Sequence, residues 1–480
     1  MSKVARAFRR FPRTFWAANT MELFERWAWY GLFLVLALYL TKSKEVGALG
    51  FSQEQKGNIM GIVSAILYFL PVITGSIADK LGYKKVLLLS FGILSSGYLV
   101  MGWLTSYYSV FMIFLFIAVG GALFKPVISA TIAKTTDESN SSIGFGIFYM
   151  MVNLGAFIGP IIASKLRELD WQYVFYMSAG ITLVNVILVL FFYKEPDRGE
   201  PEKNLATSIK RSLYNIYITL KDFRFLIFLI LIVGFWSMYL QLFFTLPVFI
   251  DQWMDTASVY NVLYDISPGL ARAIGTDQQT VNPEMITNID ALYIVLFQIL
   301  ISSLVMRFKP LYAMIIGIFI SATGIGLMFM TQNALFLIPS IFVFAVGEMA
   351  TSPKITEYIG RIAPKDRVGL YMGASFLPMS GGNYIAGLLS GQVYGSMSDK
   401  MTLLRQELNS KGMKLPEVSD QFTKTDFLNA ASEKLNMSQA ELTNYLWNSY
   451  HPENIWIVFT TIGVVTGIGL LLYNRFILKG

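Results

Sequence analysis

The chain contains no cysteine and a single histidine, His451. Structural disulfides and thiolate chemistry are thereby excluded, as is a metal site built from several histidines. Charge is scarce too. Asp, Glu, Lys and Arg make up 14% of the 480 residues, against roughly 25% in a soluble domain, so a charged skin for a water-soluble body of this size is missing. A cleavable signal is also lacking. The arm from Met1 to Arg13 is basic (Lys3, Arg6, Arg9, Arg10, Arg13), but the apolar run behind it is too long for a signal core and has no small-residue cleavage site. That run is expected to stay as a first span. No nucleophile–base pair, metal cluster or phosphate loop stands out, and Gly120-Gly121 ahead of a mid-span lysine resembles no phosphate-binding loop. An enzyme is not expected.

Apolar residues are plentiful, at 54%, and aromatics reach 15%; mean hydropathy is +0.53. At about 20 apolar residues per crossing, the runs predict an all-α polytopic membrane protein with twelve spans: 15–40, 57–78, 86–105, 109–132, 144–165, 172–193, 225–250, 285–306, 311–331, 335–360, 369–395 and 454–474. The net charge of +7 does not point to nucleic acid, because the basic residues sit in short loops between apolar runs. Lys80, Lys84 and Lys85 fall on one side. With them fall Lys194, Arg198, Lys203, Lys210, Arg211, Lys221 and Arg224, then Arg307, Lys309, Arg361, Lys365, Arg367, Arg475 and Lys479. The opposite loop 251–284 has one basic residue, Arg272. Basic loops stay cytoplasmic, so both termini are expected inside a cell (inner) membrane.

The polar link 194–224 divides the chain into two six-span bundles, 1–193 and 225–480. Such halves are expected to face each other across a central cavity. Two outside segments interrupt the second bundle. One, 251–284, reads as a loop; the other, 396–453, reads as a helical surface cap, with Ser438-Gln-Ala-Glu441 as a capping box. His451 reads as a solvated loop residue.

Ionisable residues inside a bilayer are costly and usually line a cavity. Glu22, Glu25 and Arg26 lie about 12–18 Å into the first span at 1.5 Å per residue and share one helix face with Tyr30. Lys125 lies deep in the fourth span beside Pro126, Glu348 near the middle of the tenth, and Asp290 more than a turn inside the eighth. Two readings are open: an ion-pair network holding the halves together, or a solute site. Asp290 also suits the membrane interface. Three deep carboxylates face two deep cations before Asp290 is counted, so one carboxylate is free to take up a proton. A substrate anion on Arg26 or Lys125 would release their carboxylate partners to protonate.

These residues resemble the proton-coupled oligopeptide transporters of the major facilitator superfamily. Glu22-Leu-Phe-Glu25-Arg26-Trp27-Ala-Trp29-Tyr30-Gly31 is similar to that family's E-x-x-E-R-F-x-Y-Y-G signature. Gly121-Ala-Leu-Phe-Lys125-Pro126-Val-Ile-Ser129 resembles its fourth-span motif, and Phe145-Gly-Ile-Phe148-Tyr149-Met-Met-Val-Asn153-Leu-Gly155 its fifth-span motif. Gly347-Glu348 with Ser352-Pro353, and Gly382-Asn383 with Ala386-Gly387, resemble the tenth and eleventh. Gly75, Asp79, Gly82 and Lys84 match the wider superfamily's gating loop. The resemblance implies that Arg26 and Lys125 hold a peptide carboxylate and Glu348 its amine. It implies that Tyr30, Tyr68, Asn153, Trp236 and Gln241 shape the pocket, and that Glu22 and Glu25 couple protons.

Departures accompany it. The seventh-span pattern F-W-x-x-F-E-Q reads Phe235-Trp236-Ser-Met-Tyr239-Leu240-Gln241, with Leu240 at the glutamate that the family links to coupling. Asp290 stands near the eighth-span asparagine and is the second-half candidate for coupling. The two extra central spans of many bacterial relatives are missing. The leading expectation is a monomeric, proton-driven importer of di- and tripeptides or similar zwitterions, with the proton as coupling ion and no other cofactor. The alternative is an uncoupled or differently coupled transporter of another small solute such as an organic anion. A receptor with 396–453 as its sensor accounts poorly for deep charges in both halves.

Overall fold

The computed structural model describes residues 11–137, 140–197, 204–365 and 367–478. Lys3, Arg6, Arg9, Arg10, Arg198, Lys203 and Lys479, used above for orientation, lie outside the described residues. The first half comprises α1 (Arg13–Thr41), α2 (Gln53–Phe69), α3 (Pro71–Leu81), α4 (Tyr83–Met101), α5 (Tyr107–Lys134), α6 (Ser141–Leu169) and α7 (Trp171–Phe191). The link carries α8 (Leu205–Leu220). The second half runs through α9 (Phe223–Tyr239), α10 (Gln241–Phe244), α11 (Leu246–Trp253), α12 (Ala257–Ile266), α13 (Pro268–Ile274), α14 (Pro283–Thr287), α15 (Ile289–Val305), α16 (Pro310–Leu327) and α17 (Leu337–Ile362). It continues with α18 (Val368–Ala374), α19 (Leu377–Leu388), α20 (Tyr394–Met397), α21 (Lys400–Ser410), α22 (Lys424–Leu435), α23 (Gln439–Tyr450) and α24 (Ile455–Leu472).

Among the described residues, ten helical segments are long and apolar enough to cross a bilayer, and α2 with α3 makes an eleventh, bent by 47°. The bend has a local cause. Pro71 opens α3, and proline has no N–H to continue the ladder of α2. The expected eleventh crossing, 369–395, is instead a series of short pieces, α18, α19, a π-turn at Leu389–Val393 and α20. Pro378, Gly381, Gly382, Gly387 and Gly391 explain its irregular path. The seventh span breaks as well. Pro247 sits in the first turn of α11, and at the break the Phe244 carbonyl accepts from Ser390 Oγ at 3.1 Å and Lys56 Nζ at 3.0 Å.

One expectation needs correction. The 251–284 segment is not a loop but carries α12 and α13, where Pro268 starts a helix rather than breaking one. The polar link carries α8, N-capped by Asn204 and laid against α3 and α18. The 396–453 cap is helical as its pattern suggested. Ser438 Oγ accepts from the Glu441 N–H while Glu441 Oε2 accepts from the Ser438 N–H at 2.8 Å. His451 ends α23 with φ at 53° and contacts Glu453 at 3.0 Å.

Hydrogen bonds joining the two halves gather at one end. Lys42 pairs with Asp251 at 2.6 Å, and Gln53 donates to Asp399 at 2.9 Å. Arg167 pairs with Glu284, and Asn288 donates to the Phe157 carbonyl at 2.8 Å. The cap belongs to the second half yet reaches the first: Lys424 Nζ donates to the Thr41 and Phe51 carbonyls at 2.7 and 2.9 Å. Burial lowers the pKa of this lysine.

The closure needs backbone-to-backbone approach. A Cβ on Gly57 of α2 would stand 2.3 Å from the Gly387 carbonyl oxygen and 2.6 Å from Gly391 Cα. Gly57→Val is therefore expected to hold this end open. Overpacking of about 1–3 kcal/mol shifts the open-to-closed ratio by roughly 5–150-fold. Because the chain lacks cysteine, Ser390→Cys, at a fully buried position of the gate, reports the change as faster labelling by a membrane-impermeant thiol reagent. Equal labelling with and without Gly57→Val would refute it.

Candidate site between the two halves

The first-span motif lies on α1, which is held hard against α6. A Cβ on Gly155 would meet the Leu23 carbonyl at 2.4 Å, and one on Gly159 the Trp27 carbonyl at 2.4 Å. Only glycine lets α6 approach this closely, and the approach fixes the face that carries Glu22, Glu25 and Arg26. All three are buried. Arg26 Nε lies 3.4 Å from Glu22 Oε1, and its guanidinium is bonded to Glu25 Oε2. The guanidinium carbon stands 5.8 Å from the Tyr30 ring centre.

Lys125 comes to the same place from α5. Pro126 cannot donate to the Ala122 carbonyl one turn back, and Thr74 Oγ1 of α3 fills that role at 2.6 Å. The Lys125 ammonium sits over the Tyr68 ring at 4.3 Å, near Arg26, Glu25 and Glu22. It makes no ion pair within 4.0 Å among the described residues. The first half therefore presents one arginine already shared by two carboxylates and one lysine answered only by an aromatic face.

The second half presents the opposite sign. Glu348 of α17 accepts from the Tyr239 hydroxyl at 2.9 Å, and its other oxygen has no hydrogen-bond partner. Asp290 in the first turn of α15 is 4% exposed. Its carboxyl lies against that of Glu348, and its Oδ1 is likewise without a partner. Asp290 thus neighbours Glu348 rather than Arg26, and its side chain is buried in the protein. Tyr30 connects the two regions, with Arg26, Glu25 and Tyr68 on one side and Glu348 on the other. Tyr149 of α6 stands near Glu348, Tyr30 and Asp290.

Other expected positions divide. Asn153 donates to the Tyr149 carbonyl on its own helix at 2.8 Å and is partly accessible. Trp236 packs edge-on to Tyr239 at 5.2 Å and borders a cavity of about 440 Å³ with Ser352, Thr356 and Met379. Gln241 is a correction: it is fully buried, donates to the Ser237 carbonyl at 2.9 Å and accepts from Thr245 at 2.6 Å. Its amide serves the helix break, not a cavity. Leu240 is buried, in a setting that suits an aliphatic side chain. In the 75–84 segment, Gly82 has φ of 102°, Lys84 Nζ donates to the Leu190 carbonyl at 3.2 Å, and Asp79 accepts from Tyr83 at 3.3 Å. Gly75 lies within α3, facing Pro126 at van der Waals distance.

Three contributors went unassigned in the sequence. Tyr239 and Tyr149 both lie inside quoted motifs, and their hydroxyls were the available signal. Lys56 falls one residue before the expected second span; the glycines at 57 and 61, one turn apart and mutually on one face beside it, were the clue to a close helix approach there.

Comparison with known proteins agrees with this architecture. Residues 20–275 match the Major Facilitator Superfamily. A dipeptide and tripeptide permease A of Erwinia pyrifoliae is 31% identical over 190 residues, 38% of this chain and 37% of the relative. The chain thus matches well under half the length of that relative. A permease of the same name from Citrobacter koseri is 26% identical over 432 residues, 80% of this chain and 84% of the relative. Among solved structures, a peptide transporter in complex with sulfate superposes with a TM-score of 0.71 at 17% identity, covering 98% of this chain and 95% of the other. With over half of its length matched to that profile, the chain belongs to the major facilitator superfamily.

Proposed function

We propose that the protein is a secondary active transporter that takes up di- and tripeptides or similar zwitterions with protons by alternating access. The observation that carries this reading is the placement of uncompensated charge. Among the described residues, Lys125 lacks a carboxylate partner within ion-pair distance on one half, and Glu348 and Asp290 lack cationic partners on the other. A zwitterion supplies both missing ions at once, its carboxylate at Arg26 and Lys125, its ammonium at Glu348, and so draws the halves together. The permease names of the relatives support the substrate class. Glu22 and Glu25, which share Arg26, are the groups freed to take protons when a substrate carboxylate arrives.

In this reading the protein is a monomer in the inner membrane, with both ends cytoplasmic. The basic loops support that orientation, and a tag after Gly480 reached only from outside would overturn it. The tied end then faces outward, so the described conformation is closed to the exterior. The proton is the coupling ion, and no cofactor is needed.

Leu240 favours a second reading, an uncoupled carrier of an organic anion. Reconstituted protein under an imposed pH gradient separates the two. Dialanine uptake that rises with the inward proton gradient, and that amine-blocked dialanine does not match, is the expected result. Preference for a simple organic anion, or equal uptake of the blocked peptide, would favour the second reading.

A further inference from the structure

At Tyr239, the residue before Leu240, the second half contains an arrangement that its own hydrogen bonds leave incomplete. Asp290 and Glu348 are 4% and 9% exposed, and their carboxyls lie within hydrogen-bond reach of each other. Glu348 Oε1 is taken by the Tyr239 hydroxyl; Glu348 Oε2 and Asp290 Oδ1 have no partner. Among the described residues, the titratable groups near the pair from neighbouring elements are phenols: Tyr239 from α9, Tyr149 from α6 and Tyr30 from α1. On α15 itself, Tyr293 is engaged elsewhere, donating to the Ile338 carbonyl at 3.2 Å. No lysine or arginine among the described residues pairs with either carboxylate.

Two ionised carboxylates in such contact repel, and ionised oxygens only accept hydrogen bonds. A single proton cures both faults. It turns one carboxyl into a donor and fills both vacant positions with one O–H···O bond.

We propose that Asp290 and Glu348 form a proton site holding one proton between them, and that Asp290 keeps it when the substrate ammonium takes Glu348. The inference rests on the zwitterion reading above and names where a coupled proton rides. The balance closes. Before substrate, the pair carries one proton and one negative charge. On binding, the proton passes wholly to Asp290, and the Glu348 carboxylate pairs with the ammonium. When the cavity opens inward, water solvates both carboxyls and takes over the hydrogen bonds the shared proton had supplied. The ammonium leaves, the proton follows it, and the emptied pair takes a new proton when the cavity next opens outward, so one proton crosses with each substrate by this route. Asp290 thereby supplies, from the eighth span, a second-half carboxyl where Leu240 supplies none.

The test compares wild type with Asp290→Asn in proteoliposomes, using dialanine. Counterflow of labelled dialanine in the wild type first establishes peptide exchange; its failure would sink the substrate reading itself. Given exchange, Asp290→Asn should lose the drive of one proton. The ratio of pH-driven accumulation to counterflow then falls about tenfold for each pH unit imposed. The protonated-carboxyl infrared band of the wild type should also be diminished in Asp290→Asn. A variant with the wild-type ratio and an undiminished band overturns the proposal. Should Asp290→Asn not fold, Glu348→Gln serves in the infrared measurement. Its amide donates to Asp290 without a proton, so the band is expected to weaken, and its persistence at full strength overturns the proposal equally.

Discussion

Arg26→Lys is expected to cut dialanine uptake by roughly 10–100-fold although the charge is kept. The guanidinium is already divided between Glu22 at 3.4 Å and Glu25, and its planar fork is what allows a third carboxylate, the substrate's, to be gripped as well. A lysine ammonium reaches one or two partners from a single point. The loss is that of a hydrogen bond to a charged group, about 1.5–3 kcal/mol, which sets the range given. Arg26→Ala is the less informative change. It strands two buried carboxylates, and breaking a buried pair costs roughly 3–5 kcal/mol, so lost uptake would mix with lost fold. Lys125→Ala is cleaner, because Lys125 makes no ion pair within 4.0 Å among the described residues and sits over the Tyr68 ring. Dialanine affinity unchanged in both Arg26→Lys and Lys125→Ala would remove the anion site from the mechanism.

The spans were legible because hydropathy alone defines them, and the first-span triad because three- and four-residue steps put Glu22, Glu25 and Arg26 on one face. The breaks were less so. Pro71, Pro247 and Pro378 were visible as residues, but a proline in a span either kinks, starts or is absorbed. The outcome depends on neighbours such as Thr74, which adopts the carbonyl that Pro126 cannot serve. Gln241 was misplaced for a related reason. Its position in the motif was right, yet Thr245 and the Ser237 carbonyl consume its amide. Asp290 could be found as a charge, but its partner could not, since the contact with Glu348 joins α15 to α17 across 58 residues of chain. Lys56 shows the converse. It lies just before the expected second span, and only the approach of α2 to α19 and the π-turn through facing glycines buries it completely, with the Phe244 carbonyl as its acceptor.

Glu25→Gln is expected to abolish concentrative, pH-driven uptake while leaving counterflow, because exchange moves no net proton. The argument turns on what each carboxyl controls. Glu25 is 1% exposed and bonded to the guanidinium that receives the substrate. When the substrate carboxylate arrives, that bond must loosen, and an ionised Glu25 left unpaired in a dry site is costly. Taking a proton removes the cost. The cycle therefore advances with substrate only when the proton is present, which is what coupling requires. Glutamine needs no proton to be neutral, so substrate crosses without one. The Asp290 proton adds drive only while Glu25 gates the crossing; without that gate substrate also crosses when Asp290 has lost its proton, and this leak drains the gradient. Glu25→Gln should then act as all or none, whereas Asp290→Asn, which removes one proton from the count, should be graded with the imposed pH difference. The decisive measurement is uptake against a dialanine gradient, with and without a proton gradient. Wild-type uptake indifferent to the proton gradient would mean that Leu240 marks a true loss of coupling. PH-driven accumulation surviving in Glu25→Gln would instead leave the coupling to Glu22 or to the Asp290–Glu348 pair, because Arg26 has no other acidic neighbour among the described residues.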